Sequence, residues 1–128
     1  MTVAILIVSH SSDVARGTAE MARQMAGDDL AIAWTGGNPE GGLGTSMGAI
    51  LEQLLAIWRP EGVAVLVDMG GAETNSEMAI EELPPEQAAL VRICQAPIVE
   101  GAVIAAAEAV SGSSLEQVCA AAEEFMQA

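Results

Sequence analysis

The spacing of apolar residues changes several times along the chain, and each change marks an element. Thr2 to Val8 is apolar and β-branched almost without interruption, which predicts a strand buried on both faces. It runs into Ser9-His10-Ser11-Ser12, where the period turns helical. Val14, Thr18, Met21, Ala22 and Met25 then fall on one face, with Ser12 available as N-cap and Gly27 as terminator. Leu30 to Thr35 predicts a second strand, and the glycine-rich run 36–44 after it predicts a long loop. Thr45 or Ser46 can cap the next helix, whose apolar positions Met47, Ile50, Leu51, Leu54 and Trp58 keep helical spacing until Pro60.

Val63 to Val67 is again apolar throughout and predicts a central strand, with Asp68 at its carboxyl end. Thr74-Asn75-Ser76-Glu77 has the form of a capping box and predicts the start of a helix that runs to Pro84-Pro85. Ala89 to Cys94 predicts a fourth strand, and Ile98 to Val110 a further helix. Leu115 to Met126 predicts the last helix, with Ser114 and Gln117 as its capping box and Leu115, Val118, Cys119, Ala122 and Met126 as its apolar stripe.

Strands that alternate with helices imply an α/β fold: a doubly wound parallel sheet covered on both faces, here in the flavodoxin-like order 2-1-3-4. With 128 residues, no linker and no internal repeat, the whole chain 1–128 is expected to be one domain. Ligands of such sheets bind at the carboxyl ends of the strands where the winding reverses, between strands one and three. His10 and Asp68 terminate those two strands.

Charge narrows the possible partners. Eighteen acidic residues face only Arg16, Arg23, Arg59 and Arg92, for a net charge of −14 and no lysine. Such a surface repels nucleic acid and anionic membranes, so neither is an expected partner. The missing lysine excludes a P-loop nucleotide kinase and Schiff-base chemistry. No apolar run reaches the ~18 residues that span a bilayer, and Met1 leads straight into the first strand without a basic leader, so a cytoplasmic protein is expected. Cys94 and Cys119 stand far apart inside apolar patterns and read as buried free thiols, while Met21, Met25, Met47 and Met126 read as core filling. Glu77, Glu81 and Glu82 read as a solvated helix face suited to a basic partner.

His10 is the only histidine in the chain. A lone histidine at a strand end is often a packing or capping residue, but a carboxylate that ends the neighbouring strand changes its chemistry. The carboxylate holds one ring N–H, so the other nitrogen presents its lone pair as a nucleophile. Ser11, Ser12, Thr45 and Ser46 offer hydroxyl donors for a phosphoryl group, helix amino termini point N–H groups at the same crevice, and Gly42 and Gly44 permit close approach. Asp68 as the phosphoacceptor of a response-regulator receiver does not fit, since that site needs an acidic pair after strand one and a lysine. The glycine loop follows strand two rather than strand one, which is weak support for a dinucleotide site.

Together, Ile7-Val8-Ser9-His10-Ser11-Ser12, Gly42-Leu43-Gly44-Thr45-Ser46, the run from Val65 to Asn75 and the run from Ala96 to Ala102 resemble one family. It is the phosphocarrier subunit of phosphotransferase-system-dependent dihydroxyacetone kinases, within the mannose-type enzymes IIA. The likeness runs from residue 3 to about residue 110. It implies that His10 accepts a phosphoryl group from the phosphocarrier protein HPr and passes it to ADP on the kinase's nucleotide-binding subunit. It further implies that Asp68 orients His10, that Gly44, Thr45 and Ser46 line the phosphoryl pocket, that no metal or cofactor takes part, and that the protein is a homodimer. Some members continue into fused HPr and enzyme I domains; this chain is expected to act as the separate carrier. Two alternatives stay open: an enzyme IIA that passes phosphoryl to the IIB domain of a sugar permease, and a non-catalytic flavodoxin-like module in which His10 and Asp68 are a structural pair.

Overall fold

Alternate side chains of the first strand feed two separate cores. Val3, Ile5 and Ile7 point to one face of the sheet and Ala4, Leu6 and Val8 to the other, all of them buried. A strand in that position needs apolar residues on both sides, which is why its sequence does not alternate. The structure is a computed structural model, described here for residues 1–124. Its elements are β1 (Ala4–Ser9), α1 (Ser12–Ala26), β2 (Ile32–Gly36), α2 (Met47–Ile57), β3 (Val63–Val67), α3 (Gly70–Glu81), α4 (Pro85–Ala88), β4 (Val91–Cys94), α5 (Ile98–Val110) and α6 (Leu115–Glu124). The four strands are parallel in the order β2-β1-β3-β4, the order expected from the sequence.

On one face lie α1, α5 and α6, packed through small residues: Ala15, Ala19 and Ala22 from α1, Ala102, Ala105, Ala106 and Ala109 from α5, Ala122 from α6. The other face holds α2 and α3, which bury Ile50, Leu54, Ile57, Ala72 and Ala79 against Val63, Val65 and Val67. Val8 pairs with Val67, so the residues that follow each of them leave the sheet side by side. That register carries His10 to Asp68.

Several sequence expectations are corrected. The core face of α1 is the alanine row, so Val14, Met21 and Met25 lie outside it, with Met21 53% and Met25 58% exposed. Alanines on both α1 and α5 let the two helices approach closely, and that packing outweighs the higher apolarity of methionine. Met47 does pack against the second core; Met126 lies outside the described residues. Ser11, not Ser12, caps α1, accepting from the N–H of Val14. The capping box at Thr74–Glu77 does not form, because the chain is helical from Gly70. Thr74 is interior to α3, and its hydroxyl donates back to the Gly70 carbonyl at 3.0 Å. The α3 helix stops at Glu81, the prolines open the four-residue α4 instead, and β4 begins at Val91 rather than Ala89.

Arg23 joins α1 to the sheet edge. Ala31 gives its carbonyl to Ile5 in β1, so the carbonyls of Leu30 and Ile32 face outward, and the Arg23 guanidinium donates to both. A cation over an open edge blunts its capacity to pair with another strand.

Candidate functional site

The polar residues at the carboxyl ends of β1 and β3 form one hydrogen-bonded cluster centred on Asp68. Its Oδ2 accepts from the Ser9 hydroxyl at 2.6 Å and from the His10 backbone N–H at 3.0 Å. Its Oδ1 accepts from the Met69 N–H at 2.7 Å and lies 3.0 Å from His10 Nδ1. Partial burial pushes the Asp68 carboxyl up, but the Ser9 hydroxyl, the His10 ring and the N–H groups of His10 and Met69 together hold it below its ordinary range. An ionised carboxylate only accepts, so Nδ1 of His10 donates to it, and in the neutral ring Nε2 is the nitrogen that has the lone pair.

What Nε2 faces follows from the start of α3. The N-cap residue Met69 lends no side-chain hydrogen bond, and the first two helical residues are Gly70 and Gly71. A Cβ on Gly71 would stand 3.1 Å from His10 Nε2, whereas one on Gly70 would meet open space. Among the described residues nothing accepts from the N–H of Gly70 or Gly71. A nucleophilic nitrogen therefore sits over a bare helix amino terminus, with room for a group whose oxygens the free N–H groups can bind.

The glycine loop is tied to the His10 backbone. Gly44 donates its N–H to the His10 carbonyl at 2.8 Å. Asn38 organises the loop from inside: its Oδ1 accepts from the N–H groups of Glu40 and Gly42, and its Nδ2 donates to the Leu43 carbonyl. Gly36 at the loop's start packs so tightly on the Ser11 backbone that a Cβ there would come within 2.6 Å of the Ser11 carbonyl oxygen. Thr45 accepts from Asn75 Nδ2 at 2.6 Å and reaches the Gly71 carbonyl at 3.4 Å.

Of the residues singled out in the sequence, His10, Asp68, Gly44 and Thr45 thus come together. Ser11 and Ser46 stand nearby, but their hydroxyls cap α1 and α2. Ser12 opens onto a neighbouring cleft shared with Asp13, Gly41, Gly42 and Leu43. Ser9, Gly71, Asn38 and Asn75 were missed. Ser9 read only as the first residue of the polar turn after the strand, and Gly71 and Asn75 required the true start of α3. A cleft of about 610 Å³ runs along β2 beside Gln53 and Ile57. It contains no titratable side chain, so hydrogen bonding rather than volume locates the chemistry.

Residues 4–119 match the family model EIIA-man, described as the PTS system fructose IIA component. The chain belongs to the EIIA-man family. Among its relatives, the phosphoryl donor subunit DhaM of the PEP-dependent dihydroxyacetone kinase of Escherichia coli (strain K12) is 40% identical over 91% of this chain and 25% of the relative. The DhaM subunit of kinase 2 of Listeria innocua is 34% identical over 91% of this chain and 93% of its own length. This EIIA-man chain spans about a quarter of the first relatives it matches and nearly all of the Listeria protein. A crystal structure of a protein of unknown function, EF1359, superposes with a TM-score of 0.82 and 32% identity over 96% of this chain and 94% of that one. Among the described residues of this member, no helix is long and apolar enough to cross a membrane.

Proposed function

We propose that this EIIA-man protein is the phosphoryl donor component of a dihydroxyacetone kinase, and that it carries the phosphoryl group on Nε2 of His10. The carrying observation is a hydrogen bond: Asp68 Oδ1 lies 3.0 Å from His10 Nδ1 and engages that nitrogen, which leaves Nε2 as the nitrogen of the neutral ring with an available lone pair. The donor is the phosphohistidine of HPr, and the acceptor is ADP on the kinase's nucleotide-binding subunit. Both transfers are displacements at phosphorus: Nε2 attacks, the donor nitrogen leaves, and later an ADP oxygen attacks while Nε2 leaves. Asp68 steadies the imidazolium while Nε2 carries the phosphoryl group. Gly70 and Gly71 N–H groups supply donors for the phosphoryl oxygens without adding side-chain bulk. Leu43 and Met69, 76% and 61% exposed, give the surroundings an apolar rim on which a protein partner can seat. A homodimer and a cytoplasmic location belong to the same reading.

The names of the DhaM relatives support the kinase role, whereas the family's own description, a fructose IIA component, favours a second reading: transfer to the IIB domain of a sugar permease. The two share the first half-reaction and differ in the acceptor. Incubation with phosphoenolpyruvate, enzyme I and HPr should add one acid-labile phosphoryl group, seen by intact mass and absent in His10→Ala. Subsequent discharge to ADP on the kinase subunit supports the first reading; discharge only to a IIB domain supports the second. No label, or a label that survives His10→Ala, overturns both.

A further inference from the structure

The phosphoryl chemistry makes no use of the two cysteines, yet the fold brings them together. Cys94 ends β4 and Cys119 lies on α6; they are 25 positions apart, and both are buried in the core beneath α5 and α6. Their sulfur atoms are 2.8 Å apart and share a hydrogen bond. The contact is fixed from both sides, because the next residue, Gln95, donates its N–H to the Glu123 carboxylate on the same helix at 2.9 Å. Two independent ties thus hold the end of β4 against α6.

We propose that Cys94 and Cys119 form a reversible disulfide, a redox-linked staple between β4 and α6 that is independent of the phosphoryl-transfer reading. A disulfide sulfur–sulfur bond is about 2.05 Å, so closure from 2.8 Å asks for a movement of only ~0.8 Å. The oxidant is a small-molecule disulfide, RS–SR. The Cys119 thiolate attacks one of its sulfurs, forms a mixed disulfide and expels RS⁻. Cys94 then gives up its proton, attacks the Cys119 sulfur and expels the second RS⁻. The protein loses two electrons and two protons, and the small disulfide becomes two thiols. The direction of attack follows the shared hydrogen bond, which pushes the Cys94 thiol up and pulls the Cys119 thiol down. Because both sulfurs are buried, access comes through local opening of α6, a ten-residue helix at the end of the described chain.

The test treats the folded protein with excess oxidised glutathione, then unfolds it in N-ethylmaleimide and reads the intact mass. The reduced protein takes up two maleimides. The oxidised protein should take up none, be lighter by about 2 Da than the untreated chain, and yield one peptide pair joined through Cys94 and Cys119. Closing a loop of this length should raise Tm by about 10 °C, and dithiothreitol should reverse the rise. Cys119→Ala should leave Cys94 unable to form any intramolecular bond. If that variant does not fold, the wild-type mass and melting data decide alone. Two maleimides after prolonged oxidation, persistent glutathione adducts, or disulfide-linked dimers would overturn the proposal. So would a Cys94–Cys119 bond that leaves Tm unchanged or lowers it, since the native geometry would then not accept it.

Discussion

Three helices begin near His10, and they begin differently. The first turns of α1 and α2 are closed by serine side chains: Ser11 accepts from Val14 and Ser46 from Ala49. The first turn of α3 has no side-chain cap and starts with two glycines, and His10 Nε2 lies over it. A serine cap satisfies an orphan N–H of its own helix and adds about 1 kcal/mol of stability. A bare end forgoes that contribution and leaves its N–H groups for a visiting anion. Two of these helix ends are thus closed by their own caps and one is left open, and the difference lies in which residue type precedes each helix.

The strongest challenge to this division removes what aims the ring. Asp68→Asn offers one acceptor oxygen where two are used, and its amide cannot stabilise a charged imidazole. Transfer from phospho-HPr to the protein should slow by about 100-fold in a rapid-quench measurement, with the circular dichroism spectrum unchanged. An unaltered rate would take Asp68 out of the mechanism. Next comes Gly71→Ala, which sets a methyl group 3.1 Å from Nε2 while suiting the helix better than glycine does. Transfer should fall by about tenfold while Tm holds or rises, a combination that general damage to the fold would not produce. Smallest is the converse substitution at a capped end: Ser46→Ala should cost about 1 kcal/mol in urea unfolding and change the transfer rate by less than about twofold. A large loss of transfer there would return Ser46 to the phosphoryl pocket, where the sequence reading had placed it.

Much of this was legible from the chain because strands end visibly. The apolar runs at Val3–Val8 and Val63–Val67 break at Ser9 and Asp68, and the winding order sets those breaks beside each other. The meeting of His10 and Asp68 needed no more than that. What was illegible turned on competition between equivalent patterns. In α1 the stripe that includes Val14, Met21 and Met25 and the stripe that includes Ala15, Ala19 and Ala26 share Thr18 and Ala22 and differ by a small rotation. Only the alanines of α5 decide between them, and they come eighty residues later in the chain. At α3, Thr74–Glu77 satisfied the local rule for a helix start, but the chain had already turned helical at Gly70, so the glycine facing Nε2 went unnoticed. Asn38 looked like one more polar loop residue. Its role rests on four hydrogen bonds, through its side chain and its own N–H, to positions up to five residues away.

The account's central claim concerns a single atom, Nε2 of His10. Phosphorylating ¹⁵N-histidine-labelled protein through enzyme I and HPr, then recording ¹H–¹⁵N and ³¹P spectra, tests it directly. The account predicts one phosphohistidine with phosphorus bonded to Nε2 and a proton retained on Nδ1; phosphorus on Nδ1 would contradict it.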